Sequence, residues 1–241
     1  MIKETKVIEN INYILYKPEN EIKQVLICVH GFAGDSESSA ILGIAKKLTN
    51  ENVIVITFDL PCHGKDKKSE LSLDDCFDYL NKVIKYVQKK YDYPISFFAT
   101  SFGGYLLLKH LENDKNIYKN VLLRAPAIYM DEILKDKILP MHNYSLNDLK
   151  NKPVNLGFEN KLLVNYKFYS DLKKSHIKKQ NRTIFVIQGK KDEIVDYKKN
   201  KVFFNSHFAN NKIKYLENAD HRFKKQNQLN SIIKFVESKI I

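Results

Sequence analysis

Ala99-Thr100-Ser101-Phe102-Gly103 stands between a predicted buried strand at Pro94–Ala99 and a predicted helix. A serine on a sharp strand-to-helix turn exposes its hydroxyl, and the amides of the helix N-terminus point at any negative charge that develops there. Such a turn requires small residues two positions before and after the serine, because strand and helix press close together. Gly103 meets this requirement, and Ala99 stands where glycine is usual. The stretch predicts Ser101 as a nucleophile, although a serine that only caps the helix fits these five residues equally well.

The sequence on both sides of this turn alternates between strands and helices. Continuous apolar runs at Gln24–Val29 and Val53–Phe58 predict strands that are buried on both faces. Apolar residues spaced three and four apart predict an amphipathic helix at Ser72–Lys90. The alternation predicts an α/β protein with a mostly parallel central sheet flanked by helices. The other predicted elements are two short strands in Thr5–Tyr16, helices at about Ser38–Asn50, Ser101–Leu111, Tyr197–Phe208 and from Lys224, and strands at Val121–Leu123, Thr183–Gln188 and Ile213–Leu216.

One segment, from about Ala127 to Asn181, interrupts the alternation. It contains prolines and several aromatic residues without a clear period, and it is too long for a plain connection in a compact α/β protein. A chain of 241 residues fits one domain better than two. We therefore expect a single domain spanning residues 1–241, with residues 127–181 inserted as a small lid.

Two residues downstream of Ser101 are candidate partners for its hydroxyl. A serine nucleophile needs a general base, and the base needs a carboxylate that orients it. Asp192 follows the predicted strand at Thr183–Gln188, and His221 follows the one at Ile213–Leu216. All three residues thus come after strands, at the edge where open α/β sheets bind ligands. The order serine, acid, histidine is the one used on this kind of sheet.

Alternatives remain for both partners. Asp192 could be a turn residue, and Glu193 and Asp196 are rival acids. We favour Asp192 because it comes first after the strand. His221 could be an ordinary surface histidine beside Asp220.

The negative charge that forms during acyl transfer needs two backbone donors. One is expected to be the amide of Phe102, the residue after the nucleophile. The other is expected from the loop His30-Gly31-Phe32-Ala33-Gly34, with the Phe32 amide as the candidate, although this loop could also be a turn without a ligand. His63, in a loop after another strand, is expected to order that loop rather than act as a second base.

Composition narrows the classes of partner. The formal net charge is +12, but the lysines are spread along the chain and arginine occurs only at positions 124, 182 and 222. Nucleic-acid readers favour arginine, so we expect no nucleic-acid partner and at most a long-range attraction for anionic substrates. No residues have metal-ligand spacing and no nucleotide-binding glycine motif is present, so no metal or cofactor is expected. Three unpaired cysteines and no apolar run of about 20 residues favour a cytoplasmic protein without stable membrane insertion.

Taken together, these motifs resemble the α/β-hydrolase superfamily, in particular small bacterial feruloyl and cinnamoyl esterases and monoacylglycerol lipases. The resemblance covers most of the chain. It implies a catalytic triad of Ser101, Asp192 and His221, an oxyanion hole at Phe32 and Phe102, and a small lid. Two departures, Ala99 and Cys62, affect backbone packing and remove no catalytic group. The matching residues are His30-Gly31-Phe32, Phe58-Asp59, His63-Gly64, the Ser101 turn, Gly189 with Asp192, and Asn218-Ala219-Asp220-His221-Arg222-Phe223.

The leading functional hypothesis is a serine esterase that cleaves a small carboxylic ester, with a short acyl or an aryl group, through an acyl-enzyme on Ser101. A thioesterase, an acyltransferase or a peptidase would use the same three residues, and a non-catalytic binding protein with this fold also stays open. The sequence does not indicate an oligomeric state. Aromatic residues of the lid could line the substrate pocket or could form the lid's own core; they are Tyr144, Phe158, Tyr166, Phe168 and Tyr169.

Overall fold

The computed structural model describes residues 1–157 and 161–241. Its strands are β1 (Ile2–Ile8), β2 (Ile11–Lys17), β3 (Gln24–Val29), β4 (Val53–Phe58), β5 (Ile95–Thr100), β6 (Val121–Arg124), β7 (Val154–Asn155), β8 (Leu163–Val164), β9 (Gln180–Gly189) and β10 (Phe208–Leu216). Its helices are α1 (Ser39–Thr49), α2 (Leu73–Lys90), α3 (Phe102–Leu111), α4 (Met130–Ile133), α5 (Leu139–Met141), α6 (Leu146–Asn151), α7 (Tyr166–Lys174), α8 (Tyr197–His207) and α9 (Gln226–Ile240).

Eight of these strands form one twisted sheet in the order β1-β2-β4-β3-β5-β6-β9-β10. β2 pairs antiparallel with both β1 and β4, and every other pair of neighbours is parallel. The predicted α/β class with a mostly parallel sheet is therefore confirmed. Because the parallel strands all end at one edge, the residues that follow β3, β4, β5, β6, β9 and β10 are brought together there.

Helices cover both faces of the sheet, as the apolar runs predict. Every residue of β3, β4 and β5 is buried. One hydrophobic cluster joins the sheet to α2, α3 and α8, and a second joins its other face to α1 and α9. The helix α2 begins at the cap residue Ser72, whose hydroxyl accepts a hydrogen bond from the amide of Asp75 at 3.4 Å.

Several strands are longer than the sequence pattern predicts, among them β9 and β10. β9 begins at Gln180 rather than Thr183, and β10 begins at Phe208, where a helix was expected to end, rather than at Ile213. β10 is the last strand of the sheet, and its residues alternate between partly buried and exposed. Polar residues such as Asn210 and Asn211 are tolerated there because one side of an edge strand faces water.

The segment between β6 and β9 contains short helices and a small hairpin. A single π-helical stretch, Leu134–Ile138, joins α4 to α5, and β7 pairs antiparallel with β8. Buried residues of this segment belong to the same hydrophobic cluster as α2 and α3. The carbonyl of Leu163 also accepts a hydrogen bond from the amide of Leu71 at 2.8 Å. The segment is thus packed onto the main body over the edge where the parallel strands end.

Within residues 1–157 and 161–241, no helix is both long enough and apolar enough to cross a bilayer.

Candidate active site

Ser101 lies on a strained turn between β5 and α3. Its backbone has φ of 50° and ψ of −117°, which is outside the regions that non-glycine residues normally occupy. A hydrogen bond to the neighbouring strand β6 holds the turn, since the amide of Ser101 donates to the carbonyl of Arg124 at 2.9 Å. A Cβ on Gly103 would lie 2.3 Å from the carbonyl oxygen of His30, so only glycine lets α3 approach β3 this closely. Strain of this kind points to a functional site.

His221 contacts Ser101 from the loop after β10. Its Nε2 lies 3.1 Å from the Ser101 Oγ, and its Nδ1 lies 2.9 Å from the Asp192 Oδ2. The imidazole is thereby held between a hydroxyl and a carboxylate. This arrangement favours the tautomer in which Nδ1 donates to the carboxylate and Nε2 is free to accept the serine proton.

Asp192 is held in place from three directions. Its side chain is fully buried. Oδ1 accepts hydrogen bonds from the amides of Val195 at 2.7 Å and Ile194 at 3.0 Å, and Oδ2 accepts one from Nε2 of Gln188 at 3.0 Å. These donors compensate the burial of the carboxylate and fix the oxygen that faces His221.

The rival acids occupy other positions. Asp196 caps α8 and accepts hydrogen bonds from the amides of Lys198 and Lys199. Glu193 accepts a hydrogen bond from the backbone amide of His221 at 3.3 Å. Asp192 is therefore the carboxylate that meets the imidazole, as its place directly after the strand indicates.

The amides of Phe32 and Phe102 lie on the two loops that flank Ser101. Phe102 is the first residue of α3, so its amide has no partner within the helix. In the described part of the chain, neither amide donates a hydrogen bond. The loop before Phe32 is tight against the serine, because a Cβ on Gly31 would lie 3.1 Å from the Cβ of Ser101. Both amides are available to a ligand atom at Ser101.

The loops after β3 and β4 are tied together below the cleft. The buried carboxylate of Asp59 accepts hydrogen bonds from the amides of Ser36 and Lys65, both at 2.9 Å. The Nε2 of His30 accepts one from the amide of Leu60 at 3.0 Å. Burial lowers the pKa of His30, which keeps the ring neutral and able to accept this bond. Cys62, which stands where glycine is common, has a positive φ of 64°.

His63 orders its own loop. Its Nδ1 donates to the carbonyl of Pro61 at 2.7 Å. Burial, reinforced by the neighbouring ring of His30, lowers the pKa of His63 to about 3. The ring is therefore neutral, and its Nε2, which has no partner among the described residues, presents a lone pair.

The cleft has two compartments that meet at Ser101. The first, which we call the apolar compartment, has a volume of about 100 Å³ and is lined in part by the segment between β6 and β9. Phe32, Ser101, His221 and Arg222 line both compartments. The apolar side chains that line only the first are Met130, Ile133, Ile138, Met141, Leu156 and Ile194.

The second, which we call the polar compartment, is larger, at about 430 Å³. It is lined by loops of the sheet edge and by Arg124, Asp35 and His63. Arg124 is the last residue of β6, and its guanidinium lies 5.6 Å from the centre of the Phe223 ring. Burial lowers the pKa of Arg124 to about 10, while Asp192 and Asp220 act in the opposite direction.

The described residues contain no group of three or more His, Cys, Asp or Glu side chains that could hold a metal ion.

A family model described as an uncharacterised protein family, UPF0227, matches residues 25–237. The chain belongs to this family. The match begins at β3 and ends in α9, so it includes Ser101, Asp192 and His221. No curated protein matches this UPF0227 member.

Solved structures of α/β serine hydrolases share the fold of this UPF0227 member. Est1E from Butyrivibrio proteoclasticus, solved with ferulic acid bound, has a TM-score of 0.80 at 20% identity, over 98% of this chain and 99% of that one. Mouse α/β-hydrolase domain-containing protein 10 has 0.76 at 14%, over 100% and 98%. A soluble variant of monoglyceride lipase from Saccharomyces cerevisiae has 0.74 at 14%, over 98% and 93%. The resemblance to α/β serine hydrolases is confirmed at the level of the fold.

The aromatic candidates of the inserted segment that the structure describes do not line either compartment. Tyr169 is buried in the hydrophobic core beside the ring of Tyr166, and Tyr144 packs against the same core, because both face the body of the protein. Phe168 packs edge-on against the ring of Phe102 beneath the turn. Phe158 lies outside the described residues. The segment instead contributes aliphatic and methionine side chains to the cleft.

Sequence reasoning also missed Arg124. It follows a buried run of three apolar residues in β6, and a lone charge in that position carries no spacing pattern. Its position could have indicated a place in the cleft, because Arg124 is the last residue of a parallel strand next to the Ser101 turn.

Proposed function

We propose that this protein hydrolyses small carboxylic esters through an acyl-enzyme on Ser101. The observation that supports this most strongly is the continuous hydrogen-bonded path from the Ser101 hydroxyl through His221 to the buried Asp192, with Ser101 on a strained turn. A serine that merely capped α3 would accept a bond from a helix amide, but the Ser101 side chain makes no capping hydrogen bond.

The reaction proceeds in two halves. Ser101 Oγ attacks the ester carbonyl while His221 Nε2 takes the hydroxyl proton, and the carbonyl oxygen becomes an oxyanion held by the amides of Phe32 and Phe102. The intermediate collapses, the alcohol leaves with the proton from His221, and the acyl group stays on Ser101. A water molecule then attacks the acyl-enzyme with His221 again as the base, which releases the acid and restores the serine. Asp192 keeps the imidazole oriented and stabilises its cation.

The two compartments support an arrangement for the two parts of the ester. The apolar compartment, at about 100 Å³, is smaller than the roughly 150 Å³ cavity that holds benzene. A short acyl chain fits it better than a hydroxycinnamoyl group does. We propose that residues 127–181 act as a lid whose aliphatic side chains contact this acyl chain. We also propose a cytoplasmic location, which is supported by three free, buried cysteines.

The test is a set of 4-nitrophenyl esters of two to eight carbons, together with 4-nitroanilides of the same acids and hydroxycinnamate methyl esters. We expect turnover of the short esters, little turnover of the anilides, and loss of at least about 10³-fold in kcat for Ser101→Ala. Ser231→Ala is the matched control, because its hydroxyl lies on the exposed part of α9 and donates to a helix carbonyl. Preferential cleavage of the anilides would show a peptidase, and equal activity in Ser101→Ala would refute the proposal.

A further inference from the structure

Arginine is rare in this chain, yet two of its three arginines line the cleft. Arg124 lines the polar compartment, and Arg222 lines both compartments. The chain has 40 basic residues, so a basic residue chosen at random would be a lysine. Arginine presents a planar fork of donors that matches a carboxylate or a phosphate, whereas lysine is a point charge.

Arg124 has a charge but no hydrogen-bond acceptor. Its Nε is buried without a partner, and no side-chain hydrogen bond of Arg124 occurs within residues 1–157 and 161–241. Its one side-chain contact of note is the ring of Phe223. A buried charged donor that makes no hydrogen bond is costly and is rarely left so in a folded protein. An acceptor supplied from outside the chain would satisfy it.

The carboxylates near Arg124 are committed to other donors. Asp192 faces His221 and two backbone amides, and Asp220 accepts a hydrogen bond from the amide of Phe223 at 2.6 Å. Asp35, which lines the same compartment, accepts one from the amide of Glu37 at 2.7 Å. Asp192 and Asp220 reduce the electrostatic cost of burying the guanidinium without occupying its donors.

A second unsatisfied polar atom lines the same compartment. The Nε2 of His63 is buried without a partner among the described residues and presents a lone pair. By contrast, the apolar compartment is lined mostly by aliphatic and methionine side chains. The polar compartment is therefore built to surround a polar group of the ligand, and the side chain of Arg124 is a cation in it that makes no hydrogen bond within the described chain.

We propose that the polar compartment binds an anionic group on the alcohol part of the ester, and that Arg124 is the residue that selects it. This rests on the proposed ester hydrolysis. The acyl chain enters the apolar compartment, and the leaving alcohol carries a carboxylate or a phosphate that pairs with the Arg124 fork. The net charge of +12 would add a long-range attraction for such a substrate.

The test compares butyrate esters that share the acyl group and differ in the charge of the group on the leaving phenol. The anionic members are 4-butyryloxybenzoate and 4-butyryloxyphenyl phosphate, and the neutral member is 4-butyryloxybenzamide. Each rate is divided by the rate of alkaline hydrolysis of the same ester, so that leaving-group reactivity cancels. The measured quantity is the ratio of kcat/KM between anionic and neutral esters. The two anionic arms distinguish a carboxylate from a phosphate as the preferred group.

We expect wild-type protein to favour at least one anionic ester, and Arg124→Gln to lower that ratio about 10- to 100-fold, as for the loss of a charged hydrogen-bonded pair. Arg124→Lys should lose most of the preference as well, because it keeps the charge and loses the fork. The control is Arg182→Gln. It removes the same charge from a site away from the cleft, where Arg182 donates to the carbonyl of Asn116, and it should leave the ratio unchanged.

A purely structural Arg124, which only stabilises the Asp192 carboxylate, would lower kcat for all three esters equally and leave their ratio unchanged. That result overturns the inference, as does a wild-type ratio near one, or an equal fall in the ratio for Arg182→Gln. Turnover of the neutral ester tests ester hydrolysis alone, and the ratio tests the role of Arg124. The failure of one proposal can therefore be told from the failure of the other. If Arg124→Gln fails to fold, competitive inhibition of wild type by 4-hydroxybenzoate but not by 4-hydroxybenzamide carries the test, and equal inhibition by both contradicts it.

Discussion

The two compartments that meet at Ser101 differ in how they are built. The polar compartment is lined mostly by residues at or after the ends of the sheet strands, such as His30, His63 and Arg124, and hydrogen bonds between side chains and backbone fix several of these loops. The apolar compartment is lined largely by the segment between β6 and β9, which contributes Ile133 and Ile138. In the proposed function, this second compartment selects the acyl group. Substitutions on the two sides should therefore affect different kinetic constants.

The largest effect is expected from the acid at the sheet edge. Asp192→Asn should lower kcat for 4-nitrophenyl butyrate by about 10⁴-fold, because an amide favours the wrong tautomer of His221. Asp196→Asn is the matched control: asparagine still caps α8, so kcat should change by no more than about threefold. Steady-state kinetics on both variants decide the matter. A larger loss in Asp196→Asn than in Asp192→Asn would mean that Asp192 is not the acid.

The next effect concerns stability at the Ser101 turn. Gly103→Ala places a Cβ 2.3 Å from the backbone oxygen of His30, which cannot move aside as a side chain would. We expect a loss of about 1–3 kcal/mol in the free energy of unfolding, together with a fall in kcat. In Gly43→Ala the new Cβ meets the flexible end of Ile233, so the change in unfolding free energy should stay within about 1 kcal/mol. Urea denaturation measures the unfolding free energy of both variants. Equal stability of the two would argue against close packing at the Ser101 turn.

On the apolar side, the expected effect is on selectivity. Ile138→Ala removes part of the wall of the apolar compartment and so enlarges it, without changing Ser101 or His221. The ratio of kcat/KM for hexanoate to that for acetate should rise by about tenfold, since space for one or two methylenes opens. Ile117→Ala, at a residue that is 97% exposed, should leave the ratio as in wild type. An unchanged ratio in Ile138→Ala would place the acyl chain elsewhere.

On the polar side, the expected effect is a pH dependence of stability. Burial lowers the pKa of His63 to about 3, whereas an unfolded histidine titrates at about 6.5. Between these values the unfolded chain binds one more proton, so the unfolding free energy falls as the pH falls, by about 1.4 kcal/mol per pH unit from this residue. Urea denaturation between pH 6 and 4 should show a shallower slope in His63→Gln by about that amount. The same slope in both proteins would show that His63 is not buried in its neutral form.

The sequence predicts the sheet edge far better than the segment between β6 and β9, for a physical reason. β3 and β4 end at Val29 and Phe58 as their continuous apolar runs indicate, because a strand buried on both faces has a sharp compositional end. The residues after such strands meet at one edge regardless of loop details, which is why Asp192 was identified from its position. The start of β10 was missed because an edge strand carries polar residues that resemble a loop.

The structure of the segment between β6 and β9 depends on packing that no short pattern encodes. Its helices are three to nine residues long and include a π-helical stretch, so they show no stable hydrophobic period. Tyr169 and Ile138 are both apolar residues of this segment, yet the first faces the core and the second faces the cleft. That choice depends on contacts with elements distant in sequence, such as the contact of α7 with α2. Arg124 was missed for a related reason, since only the folded cleft shows that its donors have no acceptor.

The most direct test of the central claim is covalent labelling of the nucleophile. Wild-type protein would be treated with an alkyl fluorophosphonate, and the adduct located by intact-mass and peptide mass spectrometry. We predict one adduct per chain on Ser101, absent in Ser101→Ala and formed far more slowly in His221→Gln, because the serine is activated only through that imidazole. Labelling that persists in Ser101→Ala, or a wild-type protein that takes up no label while it hydrolyses esters, would contradict the account.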